Sequence, residues 1–209
     1  MNCATLGLEA YVPSAEQPWD VGRIQHLYRR AGYGARPDEI DQALLDGPAQ
    51  TVANLLNDAA TREQRTPPEW ADWDYDAFVA AELEPFETYV RWYFNFIDDS
   101  TQFGVREKLS LFWQNHLVTQ FESHSCPSYQ YQYMKVIEDH AFGDFKQLVE
   151  NITTTPAMLF FLNGFENTKQ NPNENFAREL FELFTLGENN GYTQEDIVEA
   201  SRALTGWNG

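Results

Sequence analysis

The chain has 209 residues, 43% of them hydrophobic and 15% aromatic, enough apolar material for one large domain or two small ones with a real core. Its 32 acidic residues against 14 basic ones give a formal charge of −18. A field of that sign repels nucleic acid and anionic membranes and argues against both as general partners, while suiting a saline or extracellular setting. No apolar run approaches the roughly 20 residues that span a bilayer, so no transmembrane segment is expected.

Residues 1–19 lack periodicity and read as a loose N-terminal arm without the basic and apolar regions of a secretory signal. Asp20 is placed to cap a first helix carrying Ile24, Leu27, Tyr28 and Ala31 at helical spacing, which Gly32 and Gly34 stop. Pro37 takes the N1 position of a second helix to Asp46, with Ile40, Leu44 and Leu45 inward and Gly47 at its end, and Pro48 starts a third through Val52, Leu55 and Leu56. Residues 20–60 are thus a three-helix opening, 61–74 a connector, and 75–209 the main helical core of a single domain.

A helical pattern runs from Tyr75 to Asp98, and Pro85 predicts a break or kink inside it. The next helix is expected over Phe103 to Thr119, with Phe112, Trp113 and His116 on one face, and Pro127 opens another to about Ala141. Short helices follow near Asp144 and after Pro156. Asn171 and Pro172 open a helix whose stripe is Phe176, Leu180, Leu183 and Phe184, and Gly187 ends it. Thr193 with Asp196 forms a capping box for the last helix. No segment alternates like a strand, so the fold expected is all-α, a bundle-like domain of roughly eight to ten helices with no substantial sheet. Cys3 and Cys126 are too few for a disulfide framework and read as two free thiols, with pairing possible only if the fold brings them together.

Three blocks together resemble the bacterial family known as domain of unknown function 1800. They are His26 to Gly34 followed by Pro37-Asp38-Glu39-Ile40, then Arg106 to His116 with His140 to Phe145 and Pro156 to Leu159, and finally Pro172 to Gly187 with Tyr192-Thr193 and Arg202 to Trp207. Relatives are typically about twice as long, so the resemblance implies an N-terminal portion of a longer protein. Many relatives place His where Gln114 stands, a group of which His116 remains here. The resemblance also implies export, beside a companion protein that looks like a sulfatase.

Three groups of residues are candidates for chemistry. Glu174, Arg178 and Glu182 share one helix face by their i, i+4, i+8 spacing; with Glu179 they either hold a cation or substrate in a cleft or form a ladder of ion pairs. His116 and His140 lie on apolar faces, either as satisfied core histidines or, with His124 and Cys126 between them, as weak candidates for a metal site; their spacing matches no standard ligand pattern, and no metal is expected. Arg23, His26, Arg29, Arg30 and Arg36 gather within 14 residues of an otherwise acidic chain. They either line an anion pocket near Gly32 and Gly34, for sulfate, phosphate or uronate, or pair with acidic helices.

No Gly-x-Ser-x-Gly, phosphate loop, dinucleotide fingerprint or His-Glu-x-x-His is present, so no motif names a cofactor. Two functions fit. The first is a helical scaffold or binding module of an exported system. The second is a hydrolase of an extracellular anionic polymer, with Glu174, Glu179 or Glu182 as acid or base and His116 assisting.

Overall fold

The computed structural model describes residues 9–98 and 104–207, and among them are ten α-helices and no strand. The all-α class read from the sequence is what forms. The chain divides into two compact units, one reaching to Glu63 and one running from Gln64, with Gly104 and Val105 grouped with the first.

The first unit is built on α1 (Val21–Ala31) and α2 (Pro37–Thr61), which pack on each other. The Asp20 carboxylate accepts the Arg23 N–H at 3.0 Å, and Ile24 is fully buried. Glu39 accepts the Arg36 N–H at 2.7 Å and, with Pro37 at N1, starts α2. The break expected between two helices is a bend at Gly47, whose φ of 74° and ψ of 172° lie where side chains are rarely tolerated. Leu44 and Leu45, expected inward, face out, Leu45 at 83% exposure. The cause is the neighbouring Ala43, which is buried and whose carbonyl accepts the Trp19 indole N–H at 2.8 Å. Residues one and two steps on are turned about 100° and 200° round the helix from it.

A Cβ at Gly47 would meet no atom within 4 Å, so Gly47→Ala should act by backbone strain alone. A loss of about 1–3 kcal/mol in urea unfolding is expected, and a loss below roughly 0.5 kcal/mol would show that the bend relaxes freely.

The second unit holds α3 (Tyr75–Ala80), α4 (Pro85–Asp98), α5 (Val105–His116), α6 (Pro127–His140), α7 (Phe145–Ile152), α8 (Pro156–Phe161), α9 (Glu174–Glu179) and α10 (Gln194–Ala203). The Tyr75–Asp98 pattern is interrupted ahead of Pro85, which stands at the start of α4. Phe103, the expected start of α5, lies outside the described residues, as does Cys3. Helix α6 lies at the centre of the core: Tyr133, Met134 and Ile137 are buried, and it packs on α4, α7 and α8. Its first turns also hold the connector, since Ser128 donates to the Trp70 carbonyl at 2.7 Å and Gln132 to the Ala71 carbonyl at 3.3 Å. Asp144 caps α7, and Thr193 with Asp196 closes a capping box on α10.

Helix α9 begins two residues later than Asn171-Pro172 suggests. Asn173 is the cap, because its N–H is drawn to the Asn167 side chain at 2.8 Å while its own oxygen accepts the Asn175 N–H at 2.9 Å. Beyond Glu179 the helix widens into a π-helical segment, Leu180–Thr185. Phe176 and Phe184, eight residues apart, would sit about 80° from each other on an α-helix. The extra residue of the wide turn brings both inward, to 1% and 2% exposure, and turns Leu183 outward to 60%.

Candidate functional site

In the first unit, Ala10, Tyr11 and Trp19 border a groove of about 640 Å³ over α1 and α2. Tyr11, Trp19 and Leu27 with Pro48, Ala49 and Val52 form its apolar surface; Arg23, His26 and Arg30 add its charged and polar groups. Helical spacing puts those three on one side of α1, with Arg23 and Arg30 about 10 Å apart along the axis. The Arg23 guanidinium lies over the Tyr11 ring at 5.2 Å from its centroid, and the Tyr11 and Trp19 rings are 6.1 Å apart. Arg36, by contrast, is paired with Asp38 and Glu39, at 3.4 and 3.2 Å. Among the described residues, no side-chain hydrogen bond or ion pair engages Arg23, His26, Arg29 or Arg30. The pairing with acidic helices that would have explained these arginines as structural is therefore not seen for them. Arg29 is exposed and does not line the groove.

The acidic row of the second unit has the opposite character. Arg178 donates to Glu174 at 3.1 Å, to Glu182 at 3.3 Å and to Gln194 at 3.0 Å, and Gln194 donates in turn to Glu174 at 2.7 Å. The row is a closed network that ties α9 to the first turn of α10. Each charged member is a quarter to two fifths exposed, where ion pairs contribute little. Glu174→Gln should accordingly shift stability by less than about 1 kcal/mol, read as the urea midpoint; a larger loss would make the network a fold determinant. Glu179 is half-buried at the junction with the π-helical segment, and its carboxylate makes no hydrogen bond or ion pair among the described residues.

The histidines do not join that row. His116 Nε2 donates to the Phe184 carbonyl at 2.9 Å, which places its proton on Nε2. His140 Nε2 accepts from the Asn151 amide at 3.3 Å. Gln114 accepts the Tyr93 hydroxyl at 3.0 Å, holding α4 to α5. Nδ1 of His124 accepts the Cys126 N–H at 3.1 Å, and its Nε2 lies 3.3 Å from the Gln130 oxygen. Burial, the leading cause, pushes its pKa below the ordinary histidine value. Among the described residues no three His, Cys, Asp or Glu side chains gather as metal ligands would.

One buried charge cluster escaped the sequence reading. Arg65 reaches Glu138 at 3.1 Å, the Phe96 carbonyl at 3.3 Å and Glu107 at 4.0 Å, with its guanidinium 4.3 Å from the Phe96 ring centroid. Glu107 is only 3% exposed. Burial raises the Glu138 pKa above the usual carboxylate range, against the pull of Arg65. Arg65 lay in a stretch without periodicity, and no local spacing signals a partner about 70 residues away.

The sequence blocks that carry the resemblance thus have physical places. Trp113 donates to the Ala141 carbonyl at 3.1 Å and stacks on Phe145, joining the two parts of the second block, and Gly206 of the third donates to the Asn167 carbonyl at 3.2 Å with φ 88°. The family model described as protein of unknown function (DUF1800) matches residues 26–209. The chain belongs to the DUF1800 family. Neither a curated protein nor a solved structure gave a match. The DUF1800 match takes in His26, Arg29 and Arg30 of the first unit as well as the whole acidic row.

Proposed function

We propose that this DUF1800 chain is a helical binding module and that the groove of the first unit is its ligand face. The observation that carries this reading is the set of basic side chains on the groove, Arg23, His26 and Arg30, which make no side-chain hydrogen bond or ion pair among the described residues, Arg23 lying only over the Tyr11 ring. In a chain with 32 acids against 14 bases, an arginine that pairs with no carboxylate is available to an outside anion. Family resemblance supplies the proposed setting, an exported bacterial system with a sulfatase-like companion.

The hydrolase reading has less support. Of its three candidate acids, Glu174 and Glu182 accept hydrogen bonds from Arg178, and Glu179 stands apart from that network; the imidazole meant to assist them, His116, donates to a backbone carbonyl.

The test is calorimetric titration of the chain with sulfate, acetate and 2-naphthoate at low ionic strength, beside the Arg23→Gln/Arg30→Gln variant. At least one of these anions should bind the parent chain, and the variant should bind it tenfold or more weaker, by roughly the contribution of a lost charged hydrogen bond. Equal affinity in the variant, or no binding of any of the three, would overturn the proposal. Circular dichroism of the variant should match the parent, because neither guanidinium contributes an ion pair to the fold.

A further inference from the structure

We infer that the groove takes a small amphipathic anion, one acidic group on a flat or branched apolar body. This rests on the groove being the binding face, and it specifies what chemistry enters. The volume of about 640 Å³ falls in the range of pockets that enclose small organic molecules. Its surface decides the rest. Trp19, Tyr11, Leu27, Pro48 and Val52 offer rings and branched aliphatic groups; the Tyr11 hydroxyl and Trp19 N–H already donate to the Gln17 and Ala43 carbonyls, which leaves Arg23, His26 and Arg30 as the polar groups of the lining not already spent on the fold.

A sugar acid would need a hydrogen-bonding partner for most of its hydroxyls, and would leave those hydroxyls desolvated against Trp19, Val52 and Leu27. A bare inorganic anion would meet one guanidinium and waste the apolar surface. An apolar body with one carboxylate or sulfonate uses both: the body covers the aromatic and aliphatic floor, and the acid reaches a planar guanidinium fork that matches its geometry. Arg23 and Arg30 stand at either end of the side of α1 that lines the groove, so the ligand's acid has a guanidinium within reach whichever way the body lies.

The overall charge of −18 makes the choice sharper. Long-range repulsion disfavours polyanions in proportion to their charge, whereas a single acidic group is attracted at close range by two unpaired arginines and repelled only weakly at distance.

The experiment compares three probes on the whole chain: 2-naphthoate, acetate and 2-naphthalenemethanol, which carry the acid with the rings, the acid alone and the rings alone. Binding is followed by calorimetry and by the fluorescence of the tryptophans. The naphthoate should bind at least about 100-fold tighter than acetate, by burial of its rings, and at least about tenfold tighter than the alcohol, by its charge. Val52→Asp, which sets a carboxylate on the exposed edge of the floor, should weaken naphthoate at least tenfold while the helical spectrum is unchanged.

Acetate binding as well as naphthoate would overturn the amphipathic class and leave an anion pocket standing. Alcohol and naphthoate binding equally, both unaffected by Arg23→Gln/Arg30→Gln, would overturn the acidic requirement. Displacement of naphthoate only by an acidic peptide, with naphthoate itself weaker than millimolar, would assign the groove to a protein segment and sink the small-ligand inference. Failure of every anion would remove the binding face altogether.

Discussion

Arg65→Ala should cost about 3 kcal/mol or more of stability, one of the two largest effects expected in this chain. The substitution takes away the guanidinium that faces Glu138 at 3.1 Å and Glu107 at 4.0 Å, and with it the donor to the Phe96 carbonyl. The side chains of Glu107 and Glu138 are only 4% and 14% exposed, so water cannot take over what the arginine did. Breaking a buried pair by removing one partner typically costs about 3–5 kcal/mol, and the fifth of Arg65 that is exposed argues for the lower end. The ring face of Phe96 loses its cation as well. Arg65→Lys should recover part of the loss, since an ammonium keeps the charge but cannot fork between a carboxylate and a carbonyl. Urea midpoints at constant slope are the measure. A loss below about 1 kcal/mol for Arg65→Ala would mean that the cluster rearranges around the gap.

Asn167→Ala should cost about 2–4 kcal/mol for a different reason. Asn167 is fully buried, and both ends of its amide are used: the nitrogen donates to the Ser201 carbonyl at 2.8 Å and the oxygen accepts the Asn173 N–H at 2.8 Å. Its own carbonyl accepts the Gly206 N–H at 3.2 Å. One side chain therefore joins the turn after α8, the cap of α9 and the last turn of α10. Alanine leaves the buried Ser201 carbonyl and the part-buried Asn173 N–H without their partner, the first at the full desolvation penalty of roughly 1–3 kcal/mol and the second at part of it. Asn167→Asp should be worse than alanine, because a carboxylate oxygen would then face the Ser201 carbonyl in a dry site. Aspartate equal to or better than alanine would contradict this assignment of the amide's two ends.

Features written locally in the chain were legible from it. Asp20 and the Thr193–Asp196 pair cap the helices they were expected to cap, the short helix expected near Asp144 forms with Asp144 as its cap, and Pro37, Pro127 and Pro156 stand in first turns, because a cap and its helix are adjacent in sequence. The groove was half legible. The spacing of Arg23, His26 and Arg30 gave their common side, but only the fold could show that Tyr11, Trp19 and Val52 stand beside them and that, among the described residues, no carboxylate forms an ion pair with them. Two features were illegible for the same reason. Arg65 answers carboxylates some 40 and 70 positions away, and Leu183 was assigned inward on a 3.6-residue period that the helix abandons three residues earlier.

The Leu180–Thr185 segment also bears on insertion and deletion. Removing one residue from α10 would rotate everything beyond it by about 100° and turn its buried face outward. Removing one residue from the wide turn would let it close as ordinary α-helix, with Phe176 and the phenylalanine now at Phe184 still on the same side. The chain therefore carries, in this wide turn, a spare residue whose loss would leave the facing of the flanking helix unchanged.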